Sequence, residues 1–578
     1  MTTTLITNTA ALAPIARRIH KARVVAIDIE TTALRPFDGR IRLLQLKCDD
    51  DDEIAVIDCD FVDISCIITA LKGSAVKVAH NAKFEQAWLS YHHGLDLWPL
   101  FDTWRASVLV YNGQETRHGL YDVMERELRV RPHSQDMQRS NWGSSALTRE
   151  QLDYAAEDVM WLGDLYRELR DKLKQRGLLN VARLEFDVIK AEAACETRGV
   201  YLDRDRWMNL YRENVTSAKT LRANLQAQLP ALTLSLPGFG SSLDVDSPKQ
   251  VLASLRLLGL DVEDTRELTL AQISHPAITA LLDYREVAKC VSSFGEAFLQ
   301  NISSRTGRIH TSYYPFTGAG RYASSDPNLQ QIPRAHAYRD CFRAAPGKRL
   351  VLADYAAIEM RICAEIAGDA ELIRVFTDGK DAHRFVAAFV AEKAEAEVTK
   401  TERQAAKAVN FGLIYGMQPE KLALYAKSNY GVDMSLAQAE RSRSRYFALF
   451  PRIEQWHAQA QADFRKHGNV RTLSGRLRYL PQDAFNEVYN TPVQGTGADG
   501  LKRSLALVHK QLQAMGDSAS IYHHVHDEII LEVDDKDDAV REAQRILHDS
   551  MVEGMSHYLK QTPVVVEPSS GYSWAEAK

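Results

Sequence analysis

Between Arg403 and Gly416 the chain reads RQAAKAVNFGLIYG, with Arg403, Lys407, Phe411 and Tyr415 at every fourth position. On an α-helix a step of four drifts by only about 40°, so the four side chains share one face. That face carries two cations followed by two aromatic rings. Guanidinium and ammonium groups satisfy phosphate oxygens, and rings suit a base or sugar. A nucleotide lying along the helix, triphosphate towards Arg403 and base towards Tyr415, fits this order. An amphipathic helix with two surface cations and two core aromatics fits the same spacing.

With 578 residues the chain is too long for one core and implies roughly three to five domains. Its 45% hydrophobic and 25% charged content is ordinary for a globular protein. No apolar run approaches the roughly 18 residues of a membrane span. The seven cysteines form no CxxC pair, which argues against a zinc or disulfide framework and fits a reducing compartment. A net charge of −5 does not announce a nucleic-acid binder, so distribution matters more than the sum. Acids gather in CDDDDE and DDKDD, expected as solvated turns, and basic residues from Arg441 to Arg478 offer an exposed face able to track phosphates. Arg17, Arg18, His20, Lys21 and Arg23 resemble a transit peptide in composition. A surface helix over 10–22 feeding the first strand is the preferred reading, and a cytoplasmic location in a bacterial or phage-infected cell follows.

Residues 1–178 alternate strand-like segments (VVAIDIE, IRLLQLKC, EIAVIDC, AVKVAHN) with helical stretches near 85–91 and 149–175, which predicts an α/β domain. From Ala182 to about Gln300 the pattern is helical, broken by LSLPGFGSSLDVDSP at 234–248, read as a flexible element with an exposed tip. Strands return over 306–365, helices dominate 366–465, and IYHHVHDEIILEV predicts a hairpin. No P-loop is present, which counts against a helicase or ATPase.

RLVLADYAAIEMR places Asp354 directly after an apolar strand, with a helix expected from Ala356. VHDE places Asp527 and Glu528 at the hairpin turn. Each carboxylate alone is compatible with an ordinary turn or N-cap. Were two of them to converge to about 5 Å, their repulsion at an effective dielectric near 20 would be roughly 3 kcal/mol, a cluster that wants a divalent cation. At the amino end, Asp28 and Glu30 lie two apart on a strand and Tyr154 and Asp158 four apart on a helix, so each pair shares a face. Glu85 in HNAKFE adds a further acid.

RQAAKAVNFGLIYG resembles the O-helix motif of family A DNA polymerases, the bacterial DNA polymerase I group; DYAAIEMR is similar to motif A and VHDE to motif C. Matches run in family order from about residue 184 to 574. The resemblance implies a right-hand polymerase: thumb with a palm-linking helix over 179–305, first palm segment 306–365, fingers 366–485 and second palm segment 486–578. It implies that Asp354 and Asp527 bind two Mg2+ ions, with Mn2+ able to substitute, and that Glu528 is a less essential neighbour. Arg403, Lys407 and His383 would hold the triphosphate, Lys407 also assisting proton transfer to pyrophosphate. Glu359 would exclude a ribose 2′-hydroxyl, and Phe411 and Tyr415 would pack around sugar and template site. Arg321 and Asn328 in GRYASSDPNLQQIP, Gln494 in TPVQGTGADG and the motif C histidine, His526, would contact DNA. Arg321 and Gln494 would read minor-groove acceptors, which sit alike in every correct pair.

Departures from the family pattern are Ala356 and Ala357 where Ser and Gln are usual, and Gln404 where a second arginine is common. Phe411, rather than Tyr, resembles members that discriminate against dideoxynucleotides. Of the histidines beside motif C, His524 and His526 are expected on one strand face and His523 on the other, an arrangement that does not favour zinc.

The amino-terminal set resembles the RNase H-like 3′–5′ proofreading exonuclease of the DEDD superfamily, tyrosine subtype, over residues 1–178. Asp28, Glu30 and Asp158 match its metal ligands, also two Mg2+, and Tyr154 its water-orienting residue. Glu85 stands where Asp is usual. Nothing resembles a 5′-nuclease domain, which gives the chain a phage-like aspect. The expected function is template-directed DNA synthesis from dNTPs on primer-template DNA with proofreading, by a monomer working beside a helicase, single-strand-binding protein or processivity factor. A repair or lesion-bypass polymerase with a weak exonuclease is the alternative; an RNase D-like exonuclease with a binding module conflicts with the presence of Asp354 and Asp527.

Overall fold

The computed structural model describes residues 2–49, 51–131, 137–230, 243–270 and 272–578. Its first sheet has six strands in the order β1-β4-β3-β2-β5-β6: β1 (Thr2–Ile6), β2 (Val24–Thr31), β3 (Ile41–Cys48), β4 (Glu53–Asp58), β5 (Val76–Ala79) and β6 (Leu100–Asp102). β2, β3 and β4 run antiparallel; β1 joins β4, β5 joins β2 and β6 joins β5, all in parallel. The sheet is covered on both faces, so VVAIDIE reads as a continuous apolar run. Val25, Ile27 and Ile29 enter one core and Val24 and Ala26 the other. At Asp28 and Glu30 the second face turns acidic.

The expected surface helix is present at Leu12–Lys21. Before it Thr2–Ile6 forms edge strand β1, which was not foreseen and whose β-branched residues pair with β4. The helical stretch expected over 149–175 is two helices, Arg149–Met160 and Leu162–Gln175, meeting at Trp161.

Helices Arg204–Gln228 and Pro276–Ser293 pack together around their own apolar core, with Ser247 capping helix Pro248–Leu257. Residues 234–242 of the expected exposed tip lie outside the described residues. The small ladder β7 (Ser312–Tyr314) with β8 (Ala323–Ser325) precedes β9 (Lys348–Asp354). A second ladder, β10 (Asn469–Arg471) with β11 (Leu477–Tyr479), follows the helices that begin at Ala370. The last sheet is antiparallel, in the order β12-β13-β9-β14, with β12 (Ala519–Val525), β13 (Glu528–Asp534) and β14 (Ser569–Gly571).

Helix Ile189–Arg198, the seam helix, lies between helix Lys83–His93 of the first sheet's layer and β12 of the last sheet. The basic run 441–478 is not a uniform exposed face. Arg441 and Arg471 are exposed, but Arg476 is buried against Glu185 and Asp499.

Candidate active sites

From Leu350 β9 is apolar until Asp354, which pairs in register with Glu528, the first residue of β13. A two-residue turn, His526–Asp527, joins β12 to β13, with His526 at φ 55°. Three carboxylates therefore stand at one end of the sheet, although their oxygens do not gather within 4.8 Å of one another. Burial, and then the charge of Asp354, push the Asp527 carboxyl up to about 6, as expected of a site short of cations. Glu528 differs: it is buried, Trp574 Nε1 and Lys578 Nζ donate to its two oxygens, and Arg339 Nη1 lies 3.8 Å away. Lys578 Nζ also stands 3.6 Å from Asp354. These partners were missed in the sequence, where GYSWAEAK carries no signal for them.

The cation-and-ring stripe lies on helix Lys400–Ile414, opened by a Thr399–Glu402 capping box. Arg403, Lys407 and Phe411 are half-buried on its open face, while Ala406, Val409, Asn410 and Leu413 are buried. Tyr415 is the C-cap rather than a helical residue, and Gly416 at φ 71° turns the chain away. Arg403 Nε donates to Asp381 at 2.7 Å. His383 Nδ1 lies 2.8 Å from Asn410 Nδ2, and burial lowers this histidine to about 4. Glu359 receives hydrogen bonds from Arg321 and Tyr415, and Gln494 bonds to Tyr415, so these expected sugar and minor-groove residues form one polar cluster. Asn328 is turned inward, its Oδ1 accepting from Ser324 Oγ at 2.9 Å and Gln330 N at 3.1 Å.

The three histidines do not alternate as a strand requires. β12 ends at Val525, so His526 lies in the exposed turn, and a bulge after Ile521 buries both His523 and His524. His523 Nδ1 is 2.6 Å from Tyr313 Oη, and His524 stacks on the Tyr313 ring at 3.9 Å.

In the first sheet, helix Arg149–Met160 crosses the acidic end of β2. Ligand oxygens of Asp28, Glu30 and Asp158 all lie within 4.8 Å of one another. Burial raises all three carboxyls, helped at Asp28 by the charge of Asp158 and at Glu30, which reaches about 10, by those of Asp28 and Asp158; burial takes Asp158 to about 7 against hydrogen bonds from Tyr154 and Tyr121. Tyr121 was not foreseen. Burial pushes the Tyr154 hydroxyl well above its ordinary range, so it stays protonated. Glu85 is not within the group of three, although it is 3% exposed, feels the charge of Asp28, and keeps Oε2 buried without a hydrogen-bond partner. Such a concentration of uncompensated carboxylate oxygen fits a divalent cation.

A family model described as DNA polymerase family A matches residues 216–576, and one described as 3′–5′ exonuclease matches residues 3–174. The chain is 33% identical over 595 residues to DNA polymerase I of Aquifex aeolicus, covering 97% of each. It is 30% identical over 621 residues to DNA polymerase I of Pseudomonas aeruginosa, covering 97% of this chain and 64% of the relative. A solved structure, the POL domain of Pol1 from M. smegmatis in complex with DNA primer-template and dNTP, superposes with a TM-score of 0.83 at 25% identity over all of both chains.

Proposed function

Since the chain belongs to DNA polymerase family A, we propose that it extends a primer 3′-hydroxyl along a DNA template with dNTPs and trims the same end from its 3′–5′ exonuclease domain, in replication or repair. The observation that carries the reading is the coexistence of two separate acidic centres: Asp354 and Asp527, which feel each other's charge and are linked through Glu359 to Tyr415 at the end of the cationic stripe, and the carboxylate trio beside Tyr154.

In the polymerase centre Asp354 and Asp527 would hold Mg2+. Bound there, the ions would activate the primer hydroxyl and neutralise the departing pyrophosphate. The new bond joins the primer O3′ to the α-phosphorus as the bond to pyrophosphate breaks; the 3′-hydroxyl proton passes to solvent water, and Lys407 supplies a proton to the pyrophosphate and is reprotonated from solvent. Arg403 grips the triphosphate by exchanging Asp381 for phosphate oxygens. Glu359, fixed by Arg321 and Tyr415, would bar a 2′-hydroxyl. The thumb is assigned to 179–305, the fingers to 366–485, and the palm to 306–365 with 486–578.

In the exonuclease centre Asp28, Glu30 and Asp158 would hold the metal, with Glu85 beside them. Tyr154, kept protonated by burial, would orient the attacking water and not deprotonate it. One observation favours the weaker-exonuclease alternative: Glu85 stands outside the group of three.

A 5′-labelled primer on a longer template tests the reading, with and without dNTPs. Extension should require Asp354 and Asp527, and shortening should require Asp28. Extension by an Asp527→Ala variant, or shortening by Asp28→Ala, would overturn the corresponding assignment.

A further inference from the structure

Helix Lys83–His93, which carries Glu85 in its first turn, begins without a capping side chain of its own; its N-cap is Ala82. Two outside groups hold that beginning. From the exonuclease side, buried Asp102 accepts Asn81 N on Oδ1 and Ala82 N on Oδ2, each at 3.0 Å. From the polymerase side, Lys83 Nζ donates to Glu196 Oε1 of the seam helix at 2.6 Å and to the Tyr313 carbonyl of β7 at 2.5 Å. The same Glu196 oxygen accepts Tyr313 N at 2.6 Å, and Tyr313 Oη meets His523 Nδ1 of β12 at 2.6 Å. β12 leads directly into the turn that carries Asp527.

The loop after Glu30 is pinned to the same neighbour. Arg35 Nη2 donates to the Asp326 carbonyl at 3.2 Å, and the Phe37 and His310 rings lie 4.2 Å apart. The helix that carries Glu85 and the loop that follows Glu30 thus both rest on residues of the polymerase half. Glu85 Oε2 is buried without a partner, so its place depends on where its helix starts.

We infer that Lys83 is a positioning residue of the exonuclease centre: through Glu196 and Tyr313 the palm fixes the start of the helix that carries Glu85. The inference rests on the exonuclease reading above. Lys83 touches no substrate and acts only through the helix.

The test uses the full chain carrying Lys83→Met, Glu196→Gln, both together, or Lys83→Arg. Shortening of a labelled primer is followed as Mg2+ is raised, beside extension rate and thermal midpoint. Outer-shell partners of metal sites typically cost 10- to 100-fold in affinity or activity. Lys83→Met should therefore lower kcat for shortening by about ten-fold or more and raise the half-saturating Mg2+. KM for DNA and the extension rate should stay within about two-fold. The double variant should be no worse than the worse single one, because both break one contact, and Lys83→Arg should recover most of the loss.

Glu196→Gln removes the carboxylate charge that holds the Lys83 ammonium while keeping the side chain's size, and serves where Lys83→Met fails to fold; it too should raise the Mg2+ requirement for shortening alone. Unchanged shortening in either variant overturns the inference. So does a parallel fall of shortening, extension and thermal midpoint, which would make the contact mere interdomain adhesion. Asp28→Ala is measured alongside: shortening that survives there overturns the exonuclease reading itself.

Discussion

At the residue scale the carboxylates at the end of the last sheet are unequal, and their partners say why. Asp527 faces Asp354 with its carboxyl raised to about 6, whereas both oxygens of Glu528 already receive hydrogen bonds from Trp574 and Lys578. Asp527→Asn should cut single-turnover extension at saturating dNTP by roughly 10³-fold or more, a loss of about 4 kcal/mol of transition-state stabilisation. Glu528→Gln keeps an acceptor for Trp574 and should cost only about ten-fold; equal losses would contradict this division of roles. Glu359 supports a second expectation. It is held between Arg321 and Tyr415, and in the proposed role removing it would open space for a ribose 2′-hydroxyl. Glu359→Ala should raise ribonucleotide incorporation relative to deoxynucleotide by about 10²-fold in kcat/KM, the scale on which one hydroxyl is discriminated. An unchanged ratio would remove Glu359 from sugar selection.

Among the elements, those built from local pattern were legible in the sequence. VVAIDIE announced a strand with two acids on one face, and the fourfold stripe announced a helix, whose Thr399–Glu402 capping box went unread. What stayed hidden joins distant segments. Arg105, Glu185, Glu192, Arg476, Asp499 and Lys502 are each no more than 1% exposed and form one buried ionic network. In sequence each reads as an ordinary surface charge, and Arg476 was read as part of a basic phosphate-tracking face. Tertiary burial overrode that reading. The placement of Glu85 was hidden for a related reason, since one extra methylene and the docking of its helix decide whether the carboxylate joins the other three. Opening a buried ion pair leaves its partner charges unpaired at a cost of about 3–5 kcal/mol. Arg476→Met should destabilise the chain by that amount, because Asp499 and Glu185 both lose a cation. Urea unfolding would measure it, and a change below about 1 kcal/mol, the scale of an exposed pair, would mean that the network is hydrated.

For the whole molecule, two buried populations pull stability in opposite directions with pH. Burial lowers His80 and His523 to about 3 and His118, His310, His383 and His457 to about 4. Unfolded histidines take up protons near pH 6.5 while these stay neutral in the fold, so their stabilisation is complete above that pH and is lost as pH falls towards 4. The exonuclease acids act in reverse. Asp28 and Glu85 are raised well above their ordinary values, Glu30 to about 10 and Asp158 to about 7, so the fold holds protons that the unfolded chain has released. Their contribution improves as pH falls from neutrality towards about 4, each group acting with a slope of at most about 1.4 kcal/mol per pH unit. Without divalent metal the two trends largely oppose each other, and the thermal midpoint should decline only gently from pH 7 to pH 5. Saturating Mg2+ keeps the carboxylates ionised in the fold and removes the opposing trend, so the midpoint should fall more steeply and the gain from metal should shrink with acidification. Calorimetry in EDTA and in Mg2+ at matched ionic strength decides this. Glu30→Gln supplies the internal control: it removes one proton-holding acid, so in EDTA it should raise the midpoint at pH 7 and steepen the acid decline. Parallel curves with and without metal would show that the carboxylate cluster is already ionised in the metal-free protein, and would end the case for a site short of cations.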